Sequence, residues 1–216
     1  MTTTNKAKIY PILLAAGPSR GLPFSKALAT FGGKTALEIA VGNCQAVAGL
    51  ATPVVVLGSR AAQVAPRVPA GVSVVVNRRW RAGQLSSLIA GLRRVPDGRA
   101  FLLYPVDHPL ITPALLRRLV RAYRGRHRFE EIVLPVFQGR VGHPAIFASR
   151  VRKELRRART AREVVYRNPQ RLLWVNVRTP GIWMDFATPA SYRQCARGFL
   201  RAARSAQSGS GLSRPL

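Results

Sequence analysis

Short apolar or β-branched runs recur from one end of the chain to the other, most of them separated by segments with helical spacing. No other feature constrains the fold as much. The runs are Ile9–Ala15, Pro53–Leu57, Val72–Val76, Ala100–Tyr104, Ile132–Phe137, Ala145–Phe147 and Leu172–Val177, and they read as strands. The clearest intervening helix is Pro113–Arg124. There Leu115, Leu116, Leu119, Val120 and Tyr123 fall on one face, while Arg117, Arg118, Arg121 and Arg124 fall mainly on the other. Thr112 suits the N-cap with Pro113 at the first helical position, and Thr188-Pro189 repeats the device before the last helix. Such alternation predicts an α/β fold with a mostly parallel sheet and helices on both faces. Ligands of such sheets sit beyond the carboxyl ends of the strands. Gln138-Gly139-Arg140 reads as a tight hairpin, which predicts a late antiparallel element.

The 216 residues suit a single domain over 1–204, followed by the Ser/Gly-rich run 205–216, which reads as a flexible tail. No apolar run approaches the roughly 20 residues that span a bilayer, and two cysteines are too few for a disulfide framework. A soluble, cytoplasmic protein without a membrane partner is expected. Lys6 and Lys8 followed by Ile9–Gly17 imitate a secretory signal. Cleavage there would remove the first strand, so the segment is read as core. Lys and Arg number 35 against 8 acids, a formal charge of +27. A phosphate pocket uses only a few of these cations. The remainder reads as a solvated basic surface that draws in anionic substrates, with nonspecific nucleic-acid binding as the competing consequence. No helix-turn-helix, zinc finger or aromatic RNA-binding motif accompanies it.

The segment following the first strand, Leu14-Ala15-Ala16-Gly17-Pro18-Ser19-Arg20-Gly21-Leu22-Pro23-Phe24-Ser25-Lys26, is the best candidate for a site. Small residues let phosphates approach backbone amides, and Ser19, Arg20 and Lys26 add a hydroxyl and two cations. It is neither a dinucleotide fingerprint nor a Walker A loop. A Gly/Pro-rich connection with solvated cations remains the alternative. Among the acids, Asp107 directly follows the run Phe101–Tyr104, and Asp185 follows Ile182–Met184, so both are candidate ligands for Mg2+, which takes hard oxygen donors. Glu38, Glu154 and Glu163 lie in helix-like segments and Asp97 in a Pro-Asp-Gly turn, which suits structural roles. A lone His143 beside Gly142 and Pro144 reads as a catalytic base or a structural residue, His108 reads as orienting Asp107 or as a surface imidazole, and no Cys/His cluster has zinc spacing.

Leu14–Lys26 resembles the signature L-A-A-G-x-S-x-R-x-G-x-x-K of the MobA-like nucleotidyltransferases, most closely the molybdenum cofactor cytidylyltransferase branch. Gly17, Ser19 and Lys26 fall on pattern positions. The pattern's Arg position holds Gly21, its second Gly holds Pro23, and Arg20 sits one residue early. Further resemblances follow in order: Asn77–Leu92, Tyr104–Pro113, Gly142-His143-Pro144, and Met184–Pro189, where Ala187 replaces the second acid of D-x-D-T-P. The resemblance implies a Rossmann-like three-layer sandwich of the nucleotide-diphospho-sugar transferase type. It implies transfer of a nucleoside monophosphate, CMP from CTP, to a phosphorylated small-molecule acceptor, molybdopterin, with Mg2+. Leu14, Ala15, Ala16, Gly17, Ser19, Lys26, Asn77, Gly83 and Ser87 would then meet the nucleotide, and Arg20 and Lys26 its outer phosphates. Gly142 and His143 would meet the acceptor, and Asp107 and Asp185 the metal. A sugar- or alcohol-phosphate acceptor, a degenerate binding protein, and a basic nucleic-acid-binding protein are the competing readings.

Overall fold

The computed structural model describes residues 7–208. The strands, in chain order, are β1 (Tyr10–Ala15), β2 (Thr30–Phe31), β3 (Lys34–Thr35), β4 (Val54–Leu57) and β5 (Ser73–Val76), then β6 (Phe101–Pro105), β7 (Ile132–Phe137), β8 (Arg140–Val141), β9 (Ala145–Phe147) and β10 (Leu172–Asn176). The helices are α1 (Ala36–Gln45), α2 (Ala61–Val64), α3 (Gln84–Leu92), α4 (Pro113–Gly125), α5 (Val151–Leu155), α6 (Ala161–Tyr166) and α7 (Pro189–Ser208). All seven expected strands are present, with ends displaced by one residue at most. The tail reading needs adjustment: α7 carries residues 205–208 as helix, and 209–216 lie outside the described residues.

The main sheet runs β10-β7-β9-β6-β1-β4-β5, with β8 paired to β7. β1 is parallel to β4 and β6, β4 to β5, and β7 to β10. β9 is antiparallel to both of its neighbours, β6 and β7. The chain builds outward from β1 through β4 to β5, then returns to lay β6 on the other side of β1. This reversal of direction opens a crevice at the carboxyl edge between β1 and β6, where such sheets bind ligands. The expected hairpin exists but closes on β8. Gln138 and Gly139 both have positive φ, the turn geometry that tight hairpins favour. β9 then enters the sheet separately, after the cis His143–Pro144 peptide.

Strand residues alternate between two cores. Leu13, Val55, Leu57, Leu102 and Tyr104 pack with α1 and α4 on one face; Ile12, Leu14, Val56, Phe101 and Leu103 pack with α3, α5 and α6 on the other. The observed architecture is therefore the expected three-layer sandwich. Both expected caps form: the Thr112 hydroxyl accepts from the Leu115 amide at 3.3 Å, and Thr188 accepts from Ser191 at 3.2 Å. Glu38 completes a capping box with Thr35 at the start of α1. A third cluster around Phe31, Phe186 and Cys195 clamps α7 and residues 184–188 onto the β2–β3 hairpin.

Helix α3 approaches the sheet through Gly91. A Cβ there would lie 2.4 Å from Ile12 Cγ2 and 2.9 Å from Val56 Cγ2, both β-branched side chains with stiff rotamers. Overpacking of this kind costs about 1–3 kcal/mol, against roughly 1 kcal/mol gained from helix propensity. Gly91→Ala should therefore lower the urea midpoint of unfolding rather than raise it.

Candidate active site

β1 and β6 are hydrogen-bonded neighbours, so their exits deliver two loops side by side. The Leu14 carbonyl accepts from the Val106 amide at 3.2 Å, extending the pairing beyond the end of β6. Past Ala16 the first loop folds on itself. The Ser19 hydroxyl accepts from the Lys26 amide at 2.9 Å, and the Ser19 carbonyl from the Leu22 amide at 3.1 Å. Among the described residues the amides of Gly17, Ser19 and Arg20 donate to no other group. These open donors suit phosphate oxygens.

Lys26 points across to the second loop, where its Nζ donates to Asp107 Oδ2 at 2.5 Å. Nδ1 of the buried His108 meets the other carboxylate oxygen at 3.2 Å. Burial pushes the Asp107 carboxyl up. The His108 hydrogen bond and charge and the Lys26 ammonium outweigh that effect and hold it well below the usual carboxylate range. His108 therefore orients Asp107, as one of its two sequence readings had it. The His143 ring packs edge-on against His108 with centroids 5.0 Å apart. Because β9 runs against its neighbours, its entry, rather than its exit, lies at the ligand edge. That reversal is what brings Gly142-His143 there. Gly142 has no room for a side chain: a Cβ would lie 2.2 Å from the Ile182 carbonyl oxygen.

Two cavities meet at Asp107. One of about 270 Å³ is lined by Leu14, Ala15, Ala16, Gly17, Lys26, Gly83 and Ser87, with Trp80 and Gln84. The other, of about 500 Å³, is lined by His108, Gly142, His143 and Asp185, with Arg162, Tyr166 and Trp183. A third hollow beside the first holds Ser19 and Arg20. All but one of the residues expected at the site thus line a single continuous edge. Asn77 is the exception. It is buried, its amide donates to Ser86 at 2.9 Å and Ser87 at 3.0 Å, and its carbonyl oxygen accepts from the Arg79 amide at 3.0 Å. Through these bonds Asn77 holds the 77–87 turn and positions Ser87. Sequence reasoning missed Trp80, Gln84, Arg162, Tyr166 and Trp183 as lining residues. The first two lie inside the quoted Asn77–Leu92 segment, but the others carry no local signal.

Glu154 and Glu163 take the structural roles expected of them. Glu154 and Glu163 pair with Arg167, and Glu154 also with Arg171. Asp97, expected only to shape its turn, also accepts from the buried Arg152. Cys44 and Cys195 are buried, and burial pushes the Cys195 thiol up to about 11, with Asp185 and Asp107 adding to the effect. The Asp107 and Asp185 carboxylates line one cavity. As hard oxygen donors they fit a divalent ion. No third His, Cys, Asp or Glu joins them among the described residues, so phosphate oxygens and water would complete the coordination.

A crevice at the β1/β6 switch point, with open amides, cations and a carboxylate at its centre, suits a phosphorylated ligand, and the family match makes the protein a nucleotidyltransferase. The MobA-like NTP transferase domain matches residues 11–173, and the chain belongs to that family. Rv0371c from Mycobacterium tuberculosis H37Rv is 29% identical over 88% of this chain and 98% of its own, with a TM-score of 0.73. The same protein solved in complex with manganese is 27% identical over 88% of this chain and 99% of its own, with a TM-score of 0.70. A nucleotidyl transferase from Methanothermobacter thermautotroptrophicus shares the fold at 21% identity, with a TM-score of 0.76 over 90% and 99% of the two chains. No curated relative matches by sequence. These similarities lend no support to a nucleic-acid partner. Among the described residues no helix is long and apolar enough to cross a membrane.

Burial holds the His143 imidazole neutral, with its pKa down to about 4; the neighbouring His108 adds to the effect and Asp107 opposes it. The unfolded chain takes up a proton near pH 6.5. Stability is therefore fully present above pH 6.5 and falls as the pH drops toward 4, by up to about 3 kcal/mol. Urea unfolding across this window should show the loss in wild type, and His143→Asn should flatten that part of the profile.

Proposed function

We propose that the enzyme transfers CMP from CTP to the phosphate of a phosphorylated pterin of the molybdopterin type, using Mg2+ and releasing pyrophosphate. The contact between Lys26 and Asp107 carries this reading. It sets a phosphate-binding cation against a metal-binding carboxylate at the junction of two cavities, where a nucleotide in one can react with an acceptor in the other. The choice of CTP is supported by the resemblance of Leu14–Lys26 to the cytidylyltransferase branch. A planar acceptor with an anionic group is supported by Trp183, Tyr166 and Arg162 in the second cavity.

A phosphate monoester is already anionic near neutral pH, so no general base is needed. One acceptor oxygen forms a bond to the α-phosphorus as the bond to the α–β bridging oxygen breaks, and the electron pair leaves with pyrophosphate. What the residues supply is position and charge. Asp107 and Asp185 would hold the ion, which when bound neutralises charge building on the phosphates. Lys26 moves from Asp107 to the outer phosphates, and the open amides of Gly17, Ser19 and Arg20 steady the triphosphate. Ser87, fixed by Asn77, positions the nucleoside. His108 fixes the Asp107 carboxylate in orientation.

Pyrophosphate release measured with each NTP, Mg2+ and molybdopterin tests the reading. Release with CTP alone is expected. Tight nucleotide binding without release from any NTP would instead support a degenerate binding protein, a reading favoured by Gly21 and Ala187. Asp107→Asn, which keeps an acceptor for His108, should lower turnover at least about 100-fold while leaving the circular dichroism spectrum unchanged. Full activity in that variant would remove Asp107 from the mechanism.

A further inference from the structure

The chain departs from the MobA-like pattern at Gly21, where the pattern has Arg, and at Ala187, where it has an acid, and the fold brings these positions into contact. A Cβ built on Gly21 would lie 2.4 Å from the Ala187 carbonyl oxygen and 3.4 Å from the carbonyl carbon. No side chain fits at 21 unless the 187–188 backbone moves. The two departures therefore sit side by side: a cation and an acid are both missing from one spot, where the 187–188 backbone passes directly over Gly21.

Beside that closure lies a cavity of about 490 Å³ whose lining includes Ser19, Arg20, Lys26 and Arg81, and no carboxylate. An acid at 187 would have stood among these cations. Before a ligand arrives Lys26 is paired with Asp107, which leaves two guanidinium groups to set the potential of the unliganded hollow. Arg81 is held there by built geometry. Its guanidinium carbon lies 4.4 Å from the centroid of Trp80, a ring that lines the same cavity. Its backbone belongs to the turn that Asn77 secures through the Arg79 amide at 3.0 Å and that the Gly83 amide closes on the Trp80 carbonyl at 3.1 Å.

We infer that Arg81 is a pyrophosphate-binding residue, pairing with Arg20 across this hollow to hold the β- and γ-phosphates in place of an arginine at position 21. A guanidinium fork matches phosphate oxygens bidentately, and stacking on Trp80 restricts the arginine before the ligand arrives. This inference rests on reading the site as nucleotide-binding, but not on the identity of the base or the acceptor.

Inorganic pyrophosphate, CMP and CTP, each with Mg2+, are titrated by calorimetry into wild type, Arg81→Ala, Arg81→Lys and Arg99→Ala. Arg99 is an exposed arginine just before β6, at the opposite end of that strand from Asp107. Arg81→Ala should weaken pyrophosphate and CTP at least about tenfold and CMP less than twofold. Arg81→Lys should recover part of the loss, and Arg99→Ala should match wild type. An equal loss for CMP, an equal loss in Arg99→Ala, or no loss at all would overturn the assignment. Wild type that binds pyrophosphate in an Arg81-dependent way but rejects CTP would overturn the choice of base and support the role of Arg81. Wild type that binds no pyrophosphate would overturn both.

Discussion

The ion pair between Lys26 and Asp107 joins loops 81 positions apart in sequence, and the organisation of the catalytic edge follows from it. Side chains only 20% and 18% exposed lose much of their hydration. Such a pair persists because each charge compensates the other, and removing either leaves an uncompensated buried charge. The sheet makes the pairing possible, since β1 and β6 are adjacent, parallel and end at the same edge. On the proposed function this contact is the resting form of the site: cation and carboxylate neutralise each other until phosphates and a divalent ion offer each a stronger partner.

The reversed strand β9 is the second constraint. A parallel strand in its place would bring its exit, rather than its entry, to the ligand edge and leave Gly142-His143 at the far side. Running antiparallel between β6 and β7, it brings His143 against His108 and so adds a second wall to the crevice. Gly142 lets this entry pass directly over Ile182, and the same stretch leads on to Asp185. Phe186, buried in the aromatic cluster with Phe31, holds the stretch so that Asp185 on one side of it reaches the cavity and Ala187 on the other meets Gly21.

Much of the fold was legible in the chain because runs such as Ile132–Phe137 and Ala145–Phe147 are apolar throughout, as strands covered on both faces must be. The pairs β2–β3 and β8 were not legible, since two-residue ladders have no periodicity to read. The position of β9 between β6 and β7 was equally hidden, because pairing order depends on contacts that local pattern does not encode. At the site, Gly17, Ser19, Lys26 and Asp107 stood out because small residues and rare acids at strand ends have few other uses. The hub role of Asn77 was hidden for an instructive reason: a polar residue after a strand suits a ligand contact and an internal hub equally well, and only its three hydrogen bonds reveal the hub. The abundant arginines gave no selective signal, so Arg81 could not be distinguished from its neighbours Arg78 and Arg79.

By itself the sequence determined the layered α/β class, the strand-end loops that form the candidate site, and the short supply of carboxylates from which a metal site could be drawn. These are local properties, set by hydropathy period and by the backbone freedom of small residues. Only the tertiary structure decided which loops meet, that Gly21 and Ala187 are in contact, and that Arg81 shares a hollow with Arg20. Those outcomes depend on strand order and on steric contact across more than a hundred residues of chain, and no window of sequence contains them.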